Sequence, residues 1–133
     1  MNLSLQNTFL TVHDPDLALA FYRDVLGLEV TNDVSADGFR WLTLTPPDKA
    51  VEIVLVEPGA GHSEEDGKAL AELLAKGSLP GLIFTSEDVD TTFEKVRASG
   101  AEVLQEPIDQ PWGPRDCAFR DPSGNMIRIN QKK

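Results

Sequence analysis

Apolar and polar residues follow two different periods in the first half of the chain. Alternation over residues 7–12 (NTFLTV) predicts a strand, and runs at 28–34, 39–45 and 51–57 predict three more. After the first strand, apolar residues recur at helical spacing, in the order Leu17, Ala20, Phe21, Val25 and Leu28. Asp14 is placed to cap this helix and Gly27 to end it. The predicted order of the first half is therefore βαβββ.

The second half repeats this order. Strands are predicted at 81–87, 101–107, 115–121 and 125–131, with a helix between Asp88 and Gly100. Placing Phe21 over Phe93 superposes the two helices, which indicates a duplicated module. A further helix, begun by Ser63 and covering about 62–77, is interpreted as a connector. We expect one domain over residues 1–133, with module one at about 1–60 and module two at about 80–133.

This pattern predicts an α+β fold. One helix covers only one face of each mixed four-stranded sheet, so the other face must be buried against another part of the protein. Two tandem βαβββ modules achieve this when their sheets curl around a shared cleft. Side chains at alternate strand positions point into such a cleft, and functional residues are expected among them.

Composition narrows the classes of function. The chain has 133 residues, 41% of them hydrophobic, and a formal net charge of −10. The acidic excess argues against a nucleic acid or an anionic membrane as the partner, because both require a basic surface. The single cysteine cannot form an internal disulfide, and there is no signal-like start and no run of about 18 apolar residues. We therefore expect a cytoplasmic protein with no membrane partner.

Two longer motifs indicate a family. FYRDVLGLEV at 21–30 and FRDPSGNMIRI at 119–129 resemble the vicinal oxygen chelate superfamily, which includes glyoxalase I, extradiol dioxygenases, fosfomycin-resistance enzymes and bleomycin-resistance proteins. The motifs are specific for the fold and weak for function, because the fold hosts several chemistries. We interpret DPSGN mainly as a turn, in which Gly124 adopts a positive φ and Asp121 bonds the turn backbone.

The resemblance also implies where a metal would be bound in members that use one. The four ligand positions fall on Asn7, on Glu52 (or Ile53 with a different gap), on Gly81 and on Arg128. Asparagine is a poor ligand for a transition metal, glycine has no side chain, and arginine does not lose its proton. We therefore predict no metal site and no cofactor.

Arg128 then needs another role. Our hypothesis is that Arg128 pairs with Glu52 across the cleft, in the space that a metal would occupy. The alternative is a register one residue away, which places Arg128 in solvent and Ile127 and Ile129 inside.

Aromatic residues suggest the kind of ligand. Trp41 and Trp112 lie in corresponding regions of the two modules and suit a flat aromatic ligand, although both could instead close the ends of the sheets. Phe9, Phe39, Arg40 and Arg115 are further rim candidates, and Arg115 could instead balance Asp116. The predicted ligand-binding residues are Asn7, Phe9, Phe39, Trp41, Glu52, Trp112, Arg115 and Arg128.

Three functions remain open. The first is a small-molecule binder without a metal, similar to the bleomycin-resistance proteins, whose negative charge attracts cationic compounds. The second is a lyase, dioxygenase or isomerase of the same superfamily, either metal-dependent or using Glu52 as a general base; no other catalytic residue is assigned. The third is a protein whose cleft is filled by its own side chains and which acts through protein contacts. The resemblance implies a homodimer.

Overall fold

Two mixed four-stranded sheets form the framework of the molecule. The computed structural model describes all 133 residues. The first sheet has the strand order β1-β4-β3-β2 and contains β1 (Asn7–Thr11), β2 (Glu29–Ala36), β3 (Phe39–Thr45) and β4 (Glu52–Val56). The second has the order β5-β8-β7-β6 and contains β5 (Leu82–Ser86), β6 (Glu102–Asp109), β7 (Arg115–Arg120) and β8 (Met126–Gln131). In both sheets the first strand pairs in parallel with the last, and the other pairs are antiparallel. The predicted α+β fold with two βαβββ modules is confirmed.

Three helical segments follow the predicted capping signals. They are α1 (Pro15–Leu19, continued by a π-helical turn at Ala20–Val25), α2 (Glu64–Ala75) and α3 (Val89–Ala98). Backbone N–H groups of their first turns donate hydrogen bonds to the side chains of the predicted caps Asp14, Ser63 and Asp88. None of the helices has both the length and the apolar character needed to span a membrane.

The π-helical turn was not expected. Its hydrogen bond from Leu26 N to Phe21 O, at 3.0 Å, joins residues five apart. Phe21 and Tyr22 are neighbours in this turn and both are buried, with their rings packed edge to face at 5.0 Å. The turn thus places two large consecutive side chains in the core.

The helix-covered faces of the two sheets share one core of 18 buried residues. Leu10, Leu42 and Ile53 enter it from the first sheet, and Ile127 and Ile129 from the second. The two modules are therefore packed together through their helix-covered sides, and the opposite face of each sheet carries no helix.

The DPSGN segment is a turn, as predicted. The Asp121 Oδ1 atom accepts hydrogen bonds of 2.9 Å from the backbone N–H groups of three residues, Ser123, Gly124 and Asn125. Gly124 has φ 110, and a Cβ there would come within 2.5 Å of the Leu74 carbonyl oxygen, so only glycine fits.

The same turn also joins the two modules. Tyr22 of module one donates a buried hydrogen bond of 2.6 Å to Asp121 Oδ2. Asn125 Nδ2 donates to the Thr11 carbonyl oxygen at 2.8 Å, at the end of β1. The two sequence motifs that carry the family resemblance are thus bonded to each other and fix how the modules pack.

Candidate ligand-binding faces

The uncovered face of the first sheet carries several predicted site residues. Alternation along each strand places Asn7 and Phe9, Trp41, and Glu52 opposite the core, because their neighbours Leu10, Leu42 and Ile53 are core residues. Of the two alignments considered for the second ligand position, Glu52 is therefore the residue on this face. We call the set Asn7, Phe9, Thr31, Asn32, Trp41, Thr43, Thr45, Glu52 and Val54 the first uncovered face.

Glu52 is the centre of a hydrogen-bond network on this face. Its Oε1 accepts from Asn7 Nδ2 at 2.7 Å, and its Oε2 accepts from Thr31 Oγ1 at 2.9 Å and from Asn32 Nδ2 at 3.4 Å. Thr31 and Asn32 are consecutive, and both reach Glu52 because the β2–β3 register shifts between Val30 and Asn32. A bulge thus supplies two donors to one carboxylate.

Two buried hydroxyl groups form hydrogen bonds with the donors of this network. Thr45 Oγ1 donates to Thr31 Oγ1 at 3.2 Å, and Thr43 Oγ1 accepts from Asn32 Nδ2 at 3.0 Å. Thr43 is fully buried and Thr45 is 6% exposed. The bonds hold the Glu52 carboxylate in a fixed position, although none of the chain's ion pairs includes it.

Aromatic side chains adjoin the polar network. Phe9 is 65% exposed and Trp41 is 36% exposed. Phe9 pairs in register with Val54, which is fully buried on the same face. The first uncovered face therefore presents apolar rings beside a carboxylate that lacks a cation.

Arg128 lies on the uncovered face of the second sheet. Its neighbours Ile127 and Ile129 are buried in the core, so the arginine points to the opposite side, where its side chain is 24% exposed. The guanidinium forms an ion pair of 3.0 Å with Asp116 Oδ2 and donates to Gln105 Oε1 at 3.2 Å. The hypothesis of an Arg128–Glu52 pair is wrong, because each group is held within its own module.

Asp116 is the partner that the sequence analysis missed. Its side chain is 2% exposed, and its Oδ1 accepts from Gln105 Nε2 at 2.8 Å and Gln110 Nε2 at 2.9 Å. Burial raises the pKa of Asp116, but the hydrogen bonds from Gln105, Gln110 and Arg128 outweigh it, so the pKa lies below its usual value. β7 places Ala118 opposite Arg128, which makes Asp116 its diagonal neighbour.

The remaining predicted residues are dispersed. Trp112 lies in the loop between β6 and β7 and is 73% exposed, while Phe39 lies at the start of β3, two residues before Trp41 on the same face of the sheet. Arg115 pairs with Asp90 of α3 at 2.7 Å rather than with Asp116. The structure therefore does not bring Arg115 together with the other predicted residues.

An open groove of about 740 Å³ runs between the two sheets, beside β1, β4 and β5. Its lining includes Leu5, Thr8, Ile53, Ile83 and Phe84. None of the predicted ligand-binding residues lines it. Ile83, which is 65% exposed, was not singled out from the sequence, although alternation along β5 places it opposite the core.

Comparisons with known proteins agree with this architecture. Residues 4–129 match the model of the Glyoxalase/Bleomycin resistance protein/Dioxygenase superfamily. The chain belongs to this superfamily. Among curated proteins, it is 32% identical over 127 residues to YurT of Bacillus subtilis, covering 94% of this chain and 96% of YurT. It is 27% identical to the lactoylglutathione lyase of Haemophilus influenzae, over 98% of this chain and 94% of the lyase.

Two solved structures are also similar to this chain. UcmS2 has a TM-score of 0.88 and 36% identity, with 98% of each chain covered. TnmS3, described as an antibiotic binding protein from Streptomyces sp. CB03234, has a TM-score of 0.79 and 29% identity, over 100% of this chain and 99% of TnmS3. The similarity extends over the full length of both modules.

The residues at the superfamily's metal positions do not fit a metal ion. Asn7 and Glu52 are bonded to each other, and Arg128 is an ion-paired cation. At Gly81 a Cβ would meet the Met126 carbonyl oxygen at 1.8 Å, so the backbone leaves no room for any liganding side chain. No group of three His, Cys, Asp or Glu residues lies close enough together to hold a metal elsewhere in the chain.

Proposed function

We propose that this protein binds a small aromatic molecule, an antibiotic or an aromatic metabolite, without the help of a metal ion. The observation that carries the proposal is the state of the metal positions, where Asn7 bonds Glu52 and Arg128 bonds Asp116. A divalent cation would have to displace the contact between Asn7 and Glu52, and the position of Arg128 offers it a guanidinium in place of a ligand.

Exposed rings support a binding role. Phe9, Trp41 and Trp112 remain at least 36% exposed in the single chain, which is costly for large apolar side chains unless a ligand or partner covers them. The similarity to TnmS3 favours an antibiotic as the ligand, since that protein is described as an antibiotic binding protein.

The proposal includes a homodimer. Each uncovered face lacks a partner within the chain, and the second sheet also exposes apolar residues, namely Ile83, Ile108 and Met126. A twofold arrangement could place the first uncovered face of one copy against the second sheet of the other, forming two equivalent binding clefts. Sedimentation or light scattering should then give twice the mass of 14.6 kDa. A monomer at micromolar concentration would contradict this part of the proposal.

The proposed location is the cytoplasm, where a buried free thiol such as that of Cys117 is stable.

The binding function is tested with the protein's own fluorescence. Trp41 and Trp112 are the chain's two tryptophans, so Trp41→Phe and Trp112→Phe variants report each site separately. After chelation, aromatic antibiotics and divalent metals are each titrated, and thermal shifts are recorded alongside. We expect quenching and a raised Tm with organic ligands. Tight stoichiometric binding of Ni²⁺, Zn²⁺, Fe²⁺ or Mn²⁺ would overturn the metal-free assignment.

A catalytic role is the second candidate, favoured by the similarity to lactoylglutathione lyase. Glu52 is the carboxylate that would act as a base on the first uncovered face. Its oxygens already accept hydrogen bonds from Asn7, Thr31 and Asn32, and a substrate proton would have to compete with these donors for the carboxylate. Mass spectrometry of a bound ligand after prolonged incubation separates the two functions, since a binder returns it unchanged.

A further inference from the structure

The two uncovered faces differ in charge. On the second sheet the Arg128 cation is neutralised by Asp116 at 3.0 Å, and both groups also bond Gln105. On the first uncovered face the Glu52 carboxylate receives only neutral donors, from Asn7, Thr31 and Asn32. The first face thus carries one uncompensated negative charge and the second carries none.

We propose that the first uncovered face selects aromatic compounds that carry a protonated amine, and that Glu52 is the residue that binds the charged amine. This inference rests on the proposed binding function and names its ligand class. The ammonium group donates to the Glu52 carboxylate, while the aromatic rings of the ligand pack against Phe9 and Trp41.

The carboxylate has room for such a donor. Its two oxygens offer about four acceptor sites, and Oε1 is bonded only to Asn7 Nδ2. The existing bonds hold the carboxylate in place before a ligand arrives, so little side-chain entropy is lost on binding. A cation is favoured over a neutral donor because charge-assisted hydrogen bonds are about twice as strong.

The surrounding charge acts in the same direction. The chain's net charge of −10 raises the local concentration of cations and lowers that of anions. Arg128 does not reverse this preference, because its charge is already matched by a nearly fully buried carboxylate. An anionic aromatic compound would therefore find no free cation among the described contacts of either face.

Matched ligand pairs test the inference. Doxorubicin carries a protonated amine and N-acetyldoxorubicin does not, while their rings are identical; 9-(aminomethyl)anthracene and 9-(hydroxymethyl)anthracene form a smaller pair. Affinities are measured by calorimetry or tryptophan quenching with the full chain. We expect the amine of at least one pair to bind about tenfold or more tightly, equivalent to about 1.4 kcal/mol, and the preference to weaken between low and high salt.

Variants separate local recognition from the general field. Glu52→Gln keeps the side-chain size and should reduce the amine preference to about twofold or less. We attribute this remaining preference to the net charge of the chain. Glu72→Gln on α2 removes the same charge from an exposed helix position and should leave the preference unchanged. Circular dichroism checks that both variants fold.

Each outcome has a defined meaning. Equal affinity within both pairs overturns the charge selection and leaves the proposed binding function intact. The inference is also overturned if Glu72→Gln lowers the preference as much as Glu52→Gln, or if none of the four compounds binds. Failure of the whole ligand panel described above would overturn the binding function as well.

Discussion

Replacing Arg128 by methionine tests the balance of charge on the second sheet. The variant keeps an unbranched apolar chain but leaves the Asp116 carboxylate, which is 2% exposed, without its cation. Breaking a fully buried pair costs about 3–5 kcal/mol. Here Arg128 is 24% exposed and Asp116 keeps the amide donors of Gln105 and Gln110, so we expect a loss of about 2–3 kcal/mol.

This loss converts into a measurable change in Tm. An unfolding entropy of about 2.1 cal/mol/K per residue gives about 0.28 kcal/mol/K for 133 residues. A loss of about 2–3 kcal/mol therefore lowers Tm by about 7–11 °C. Arg115→Met is the matched control, since Arg115 pairs with exposed Asp90 and solvent screens that pair. Its Tm should fall clearly less, as followed by calorimetry or circular dichroism.

A double-mutant cycle shows whether the cost comes from the pair itself. Asp116→Asn in the Arg128→Met background removes the orphaned charge while keeping an oxygen for Gln105 and Gln110. We expect the double variant to regain much of the lost stability, with a coupling energy of at least about 1 kcal/mol. Additive losses in the two single variants would refute the reasoning, because they would mean that Arg128 contributes only packing.

The same pair predicts a pH dependence. The pKa of folded Asp116 is lowered by its hydrogen bonds despite burial, so its stabilising contribution is present above the unfolded pKa of about 3.9. That contribution is lost as the pH falls through the lower folded pKa. Urea denaturation between pH 6 and pH 2.5 should show a steeper acid loss for the wild type than for Asp116→Asn. Parallel curves would argue against a lowered pKa.

Two further substitutions test the packing that positions the faces. Tyr22→Phe removes the donor to buried Asp121, and we expect it to lower the free energy of unfolding by about 1.5–3 kcal/mol in urea denaturation. The control Thr91→Val removes a solvent-exposed bond from a hydroxyl to a carboxylate and should lower it much less. Equal losses would contradict a special role for the bond between Tyr22 and Asp121. Gly81→Ala introduces a Cβ at 1.8 Å from a backbone carbonyl oxygen of β8 and should strongly lower Tm or soluble yield, while Gly59→Ala, with no atom within 4 Å, should not.

The sequence was most informative where local signals define an element. β3 was predicted at 39–45 and lies at Phe39–Thr45, because a turn with Asp37 at φ 52 and Gly38 at φ 78 begins it and prolines follow it. The helix caps were likewise correct, since a cap depends on a single side chain and the next turn. The π-helical turn at Ala20–Val25 was missed because one extra residue in a turn hardly alters the apolar spacing.

Site residues were predicted less well than elements, and for a tertiary reason. The family resemblance left the second position open between Glu52 and Ile53 and the facing of Arg128 open by one residue, and the structure puts Glu52 and Arg128 opposite the core. Their partners depend on register between strands, which the β2 bulge shifts for Thr31 and the β7–β8 hairpin sets for Asp116. Asp116 could have been found by counting back across the Asp121 turn to the diagonal neighbour of Arg128.

The corrected partner of Arg128 changes what its presence implies about a ligand. A free guanidinium at a former metal position would have attracted anions, and a bond to Glu52 would have neutralised the first uncovered face. Pairing with Asp116 does neither, because it confines both charges to the second sheet and leaves the Glu52 carboxylate as the fixed charge that an incoming molecule meets. The arginine therefore disfavours a metal without creating an anion site, and under the proposed binding function the carboxylate of the other module is the charged group that selects among organic ligands.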